Sequence, residues 1–197
     1  MFFHRQPVDS SKNGQITLRK FFGKTELLVD GFDQSTKYTE IMWRQAVRKV
    51  PKGNIKTVLM LGLGGGSAIK NLQRHFHDCQ ITVVEWDAKM IALYKEIHPN
   101  NSPITIIYGD AMTVVPALTT NYDLVMIDLF KGNKTPDGLA DDEMISAIKN
   151  VIAPNGYCLL NAFVSLNLPP LFSKHLTEVE HWQYKYNQLF LYRLPQD

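Results

Sequence analysis

Cysteine is almost missing from this 197-residue chain, with Cys79 and Cys158 as its whole complement. Neither belongs to a close-spaced pair, and each lies beside or inside an apolar stretch. That excludes a disulfide framework or a Cys-based zinc site and reads both as buried thiols of a reducing compartment. An excess of one charge is missing too. Twenty-one Lys plus Arg stand against 19 Asp plus Glu, a formal net charge of +2, so no sequence-wide field calls for nucleic acid or an anionic membrane. No run reaches the roughly 18 apolar residues of a membrane span, and MFFHRQPVDSSKNGQ at the front has no apolar targeting core. The expected setting is cytoplasmic, without a membrane partner. The six histidines are scattered, and His75 and His77, two apart on a helix-period segment, face different sides, so no metal site is expected. Arg44, Arg48, Lys49, Lys52 and Lys56 read as a solvated face rather than a nucleic-acid contact, and Arg48 and Lys49 also suit a helix C-terminus.

What the chain does have is 45% hydrophobic residues, enough for one well-buried core. It also has a concentration of glycine: Gly53, then Gly62, Gly64, Gly65 and Gly66. Two extended runs around Gly23-Lys24, within 15–30, predict a small β-hairpin. Ser35 or Thr36 starts an amphipathic helix carrying Trp43, Ala46, Val47 and Val50, and Pro51 with Gly53 ends it. From Lys56 onward, continuous apolar strands (57–61, 81–84, 104–107, 124–127) alternate with helix-period segments. Asn155-Gly156 introduces a further strand, YCLLNAF. Strands apolar on both faces belong to a parallel sheet between helix layers, so the fold class is doubly wound α/β. The tail, 178–194, reads as an antiparallel hairpin around Asn187-Gln188. The expected units are residues 1–34, the hairpin extension, and 35–197, the main domain.

VLMLGLGGGSAIKNL joins a strand to a helix through the glycine loop, which admits positive φ, close backbone approach and a ligand at the helix N-terminus. Glu85, Asp110 and Asp128 end or follow three successive strands, on the sheet edge where open α/β folds bind ligands. Asp87 and Asp141 read instead as helix N-caps. Glu85 lies 23 residues beyond Gly62, the distance expected of an acid that accepts hydrogen bonds from ribose hydroxyls. Dinucleotides and adenosyl-sulfonium donors share that arrangement. Ser67 breaks the dinucleotide pattern at its last small residue, and NAD would leave Asp110 idle. An adenosyl-sulfonium donor uses all three acids, with Asp110 near the adenine amino group and Asp128 facing the reacting centre.

Taken in order, LLVDGFDQST, YTEIM, VLMLGLGGGSA, VVEWD, IIYGDA and YDLVMIDLFKGNKTP resemble the spermidine synthase family within the class I methyltransferase superfamily. The resemblance implies a mostly parallel seven-stranded Rossmann-like sheet with a small N-terminal hairpin. It implies binding of S-adenosylmethionine, or its decarboxylated form, through Gly62, Gly64, Gly65, Gly66, Glu85, Asp110 and Ala111. It makes Asp128 the catalytic candidate and Tyr38, from YTEIM, its hydrogen-bonding partner. No metal is implied.

Two departures fall where the chemistry is decided. Gly65 replaces the family's donor-loop aspartate, which faces the aminopropyl ammonium, and Lys131 replaces the second aspartate of the Asp-x-x-Asp segment. A cationic polyamine would meet Lys131 and Lys134 against one acid, Asp137. Only about 34 residues follow Phe163, so the acceptor side reads as rebuilt or missing. Trp182, Tyr184, Tyr186 and Tyr192, at strand spacing, read as sheet packing or the surface of a homodimer. The leading expectation is therefore methyl transfer to an unknown acceptor. Aminopropyl transfer is the alternative, and a non-catalytic nucleotide-binding homologue the third.

Overall fold

The computed structural model describes residues 4–195 apart from 11, 22–23, 54, 100–102, 131–133, 164 and 166. A run of residues 4–35 forms a four-stranded antiparallel sheet of β1 (His4–Ser10), β2 (Gly14–Phe21), β3 (Lys24–Val29) and β4 (Phe32–Ser35), in sequence order. The expected hairpin is its central pair, β2 with β3. β1 escaped the sequence reading because Pro7 demotes a strand pattern, yet at the sheet edge proline costs little. Ile16, Leu18, Leu27 and Val29 pack this sheet on Met90 and Leu93.

Thr36 caps α1 (Lys37–Lys49) through a reciprocal pair. Its hydroxyl accepts from the Thr39 N–H, and the Thr39 hydroxyl accepts from the Thr36 N–H at 2.9 Å. The second sheet follows as β5 (Thr57–Leu61), α2 (Ser67–His75), β6 (Gln80–Glu85), α3 (Ala88–Ile97), β7 (Thr105–Tyr108), α4 (Ala111–Ala117) and β8 (Tyr122–Ile127). It continues with α5 (Asp142–Asn150), β9 (Ile152–Asn161), a short α6 (Leu168–Phe172), β10 (Thr177–Tyr184) and β11 (Asn187–Arg193). Strand order is β10-β11-β9-β8-β5-β6-β7, with the last five parallel and β10 and β11 antiparallel. This is the expected doubly wound, mostly parallel seven-stranded sheet.

Alternate strand residues face opposite layers. Leu59, Leu61, Val125, Ile127 and Leu160 meet Val115, Ile145 and Ile148 on one side. Val58, Met60, Leu124, Met126 and Leu159 meet Trp43, Val47, Ile69 and Leu72 on the other. Cys158 is fully buried and Cys79 half-buried, and both are free thiols. Two expected boundaries shift. Asn155-Gly156 does not precede β9 but interrupts it: between the pairs Tyr122↔Ile152 and Leu124↔Tyr157 one strand advances two residues and the other five, a bulge in which Asn155 takes φ 63°. The tail turn falls at Lys185-Tyr186, two residues early, with Lys185 at φ 52°.

Candidate active site

At the C-terminal edge of the parallel strands lie two neighbouring cavities. The first, about 690 Å³ counting its open mouth, is lined by Gly62, Gly64, Glu85, Asp110, Ala111 and Asp128, joined by Asn13 and Gln34 from the front sheet. Gly62 has φ 91°, and a Cβ there would stand 2.3 Å from the Asp128 carbonyl oxygen. Glycine is what lets β5 and β8 end side by side. Gly65 and Gly66, expected in the donor site, do not line it. A Cβ on Gly65 would meet Ser35 Cβ at 2.1 Å, and one on Gly66 would meet the Tyr94 ring at 2.5 Å, so these two glycines serve packing. Ser67 ties the start of α2 to the front sheet and α1, at 3.0 Å from the Ser35 hydroxyl and 3.1 Å from that of Thr39.

Glu85 ends β6 at 5% exposure. Its Oε2 accepts from the Leu63 N–H at 2.8 Å and its Oε1 from the Asp87 N–H at 2.9 Å. Burial raises its pKa, and those two backbone hydrogen bonds pull it back. A carboxylate offers about four acceptor sites, so Glu85 both braces the glycine loop and can still accept from a ligand. Asp110 is exposed at the cleft and also caps α4, accepting from the Met112 N–H at 3.0 Å. Asp87 caps α3 as expected, accepting from the Lys89 N–H at 2.8 Å. Asp141 occupies the N-cap position of α5 without a side-chain hydrogen bond.

The second cavity, about 1110 Å³ with its mouth, bears on the expectation of a rebuilt or missing acceptor side, because it opens beside Asp128. It lies between the front sheet, α1 and the β10–β11 hairpin, and it shares Asp128, Phe130 and Gln34 with the first. Tyr186, read from sequence as sheet packing or dimer surface, lines it. Tyr184 packs on Tyr38 at 5.4 Å between ring centroids, and Tyr192 is core. Lys131 lies outside the described residues, and Lys134 is exposed and does not line either cavity.

Asp128 stands where the cavities meet. Asn161 Nδ2 donates to its Oδ1 at 2.9 Å. Burial pushes its pKa up to about 6, with the Asn161 hydrogen bond opposing. Asn187 Nδ2 donates to Asn161 Oδ1 at 2.9 Å, and the Tyr38 hydroxyl donates to Asn187 Oδ1 and shares the Tyr184 carbonyl. Tyr38 is thus connected to Asp128 through two amides rather than directly. Burial raises the Tyr38 pKa, so the hydroxyl stays protonated as a donor. Sequence reasoning missed Asn161 and Asn187, which are 3% and 6% exposed. The available signal was an asparagine closing the apolar run YCLLN, since a buried amide must be partnered. Among the described residues no group of three or more His, Cys, Asp or Glu could hold a metal.

The chain matches the family model described as the spermine/spermidine synthase domain over residues 36–191. It is 25% identical over 179 residues to a polyamine aminopropyltransferase of Klebsiella pneumoniae (strain 342), covering 82% of this chain but only 62% of the relative. A spermidine synthase solved with the transition state analogue AdoDATO superimposes with a TM-score of 0.76 at 16% identity, over 98% of this chain and 74% of that one. The N-methyltransferase NodS of Bradyrhizobium japonicum WM9, in complex with S-adenosyl-L-homocysteine, gives 0.64 at 17% identity over 82% and 89%. The structural likenesses establish a fold shared with methyltransferases; the family match, covering well over half of the sequence, goes further, and the chain belongs to the spermine/spermidine synthase domain family.

Proposed function

We propose that the chain is a transferase moving an aminopropyl group from decarboxylated S-adenosylmethionine, held in the first cavity, to an amine held in the second. The observation that carries this reading is the position of Asp128, a largely buried carboxylate lining both cavities. Glu85 would accept from the ribose hydroxyls, Gly62 and Gly64 would allow close backbone approach, and Asp110 would accept from the adenine amino group. The donor supplies an electrophilic carbon beside a sulfonium. The amine lone pair forms the new N–C bond as the C–S bond breaks, and the sulfur leaves as a neutral thioether. Asp128 holds the amine by its charge and takes the proton that the nitrogen must lose, a task suited to a base with a pKa about 6. The Klebsiella relative's name supports aminopropyl rather than methyl transfer.

Methyl transfer from S-adenosylmethionine is the second reading, favoured by Gly65. With Ser35 Cβ 2.1 Å from where its Cβ would be, position 65 offers no carboxylate to an aminopropyl ammonium and no repulsion to a donor's own carboxylate. Product analysis separates the two. Each donor is incubated with the protein and a mixture of amines, and the thioether released is identified by mass spectrometry. Methylthioadenosine is the expected product, whereas S-adenosylhomocysteine alone would assign methyl transfer. Donor binding without either product would make the chain a binding homologue.

Donor binding also tests Glu85. Glu85→Ala is expected to weaken methylthioadenosine binding by about 5- to 150-fold, roughly 1 to 3 kcal/mol, because the ribose hydroxyls lose their acceptor. Calorimetric titration below the variant's unfolding temperature checks this, and unchanged affinity would refute the ribose role.

A further inference from the structure

The charges around the second cavity do not match a doubly charged acceptor. Asp33 lines the cavity, but the Arg19 guanidinium lies 3.9 Å from its carboxylate and 3.3 Å from that of Glu26. Lys185 brings a further cation to the same wall, its Nζ 5.1 Å from the centroid of the cavity-lining Tyr38 ring. Of the two carboxylates lining this cavity among the described residues, Asp33 is already shared with Arg19, which leaves Asp128, at the inner end, as the one without an ion-pair partner.

Apart from Gln34, Thr39, Asn161 and Asn187, the rest of the lining is mostly aromatic. Phe32, Tyr38, Trp43, Phe130, Phe163 and Tyr186 surround the space, with Phe130 and Phe163 edge to face at 5.8 Å. Phe32 is 40% and Tyr186 74% exposed, so two of the chain's exposed large apolar side chains stand at this site. Exposed aromatics around a concave site fit a ligand that brings an apolar body with it, and aromatic faces pack best on another ring.

We infer that the acceptor is a monoamine with an aromatic or otherwise apolar body, its single nitrogen directed to Asp128 and its body against the aromatic wall, rather than a diamine. This inference rests on the transferase reading above. A second ammonium on a diamine would lie toward the wall where Arg19 already holds Asp33 and Lys185 adds a further cation, and would surrender hydration without gaining a free carboxylate.

The test is calorimetric binding of phenethylamine and of putrescine to the protein saturated with methylthioadenosine. Phenethylamine is expected to bind at least tenfold more tightly. Tyr186→Ala, at an exposed position that folding tolerates, is expected to weaken phenethylamine about fivefold and leave putrescine unchanged. Lys185→Glu is expected to strengthen putrescine by threefold or more. Putrescine binding as tightly as phenethylamine in the unaltered protein would overturn the inference, and so would failure of both amines to bind beside bound methylthioadenosine. Failure of methylthioadenosine itself to bind would instead overturn the donor-site reading.

Discussion

Asp128→Asn is expected to cut turnover by roughly 10²- to 10⁴-fold while making the protein more stable at pH 8. The two effects share one cause. Burial lifts the folded carboxyl from 3.8 to about 6, so the native state keeps a proton that the unfolded chain has already released. The stability due to that protonation is fully present below pH 3.8 and is lost as pH rises through about 6. At pH 8 the charged carboxylate therefore costs the fold up to about 3 kcal/mol, which a neutral amide of the same shape avoids. The oxygen of that amide could still accept from Asn161. Denaturant unfolding of both proteins at pH 4 and pH 8 checks the sign: the variant's advantage should exist at pH 8 and vanish at pH 4. Glu85 and Asp142 also titrate differently in the folded state, so the difference between the two proteins is the quantity to read. In the unaltered enzyme, turnover should fall as pH drops through about 6, because the protonated carboxyl can no longer take a proton.

Gly62→Ala is the second large effect, and it acts on the fold. Its Cβ would stand 2.3 Å from the Asp128 carbonyl oxygen, at a backbone φ of 91° that side chains rarely adopt. Backbone is what blocks it, so no rotamer change relieves the clash and β5 and β8 must part. The expected cost is about 3 kcal/mol or more. Gly64→Ala is the control. It too has positive φ, 51°, but its nearest neighbour is the Gln34 carbonyl oxygen at 3.4 Å, so its cost should stay near the roughly 1 kcal/mol of the left-handed backbone alone. Urea midpoints of the two variants give the comparison. Equal destabilisation would show that the contact with Asp128 does not matter.

The parallel sheet was readable because its strands carry unbroken apolar runs such as Val58–Leu61 and Leu124–Ile127, which only a sheet covered on both faces can bury. The shared edge of the first cavity was readable for a related reason: Gly62, Glu85, Asp110 and Asp128 follow those strands at short, regular offsets. The second cavity was not. Its walls come from Phe32, Trp43, Phe163 and Tyr186, which lie in four separate stretches of chain and meet only through packing of the front sheet and the tail hairpin on the strand ends. Asn161 and Asn187 were missed on similar grounds. An asparagine beside a strand end or a turn has a local explanation, and its cross-chain partner is invisible until β9 and β11 pair.

The amide chain between Tyr38 and Asp128 has a direction. Tyr38 donates to a carbonyl, whose amide donates to the next carbonyl, whose amide donates to the carboxylate, so every donor points toward Asp128. Turning the Asn161 amide over would set its nitrogen against the Asn187 nitrogen and its oxygen against the Asp128 carboxylate. Side-chain amides at neutral pH have no proton to surrender, so this line transmits polarisation and holds a geometry but conducts no protons. On the transferase reading, a proton that Asp128 takes from a reacting nitrogen returns to water through one of the two cavities that this carboxylate lines, not through the amides behind it.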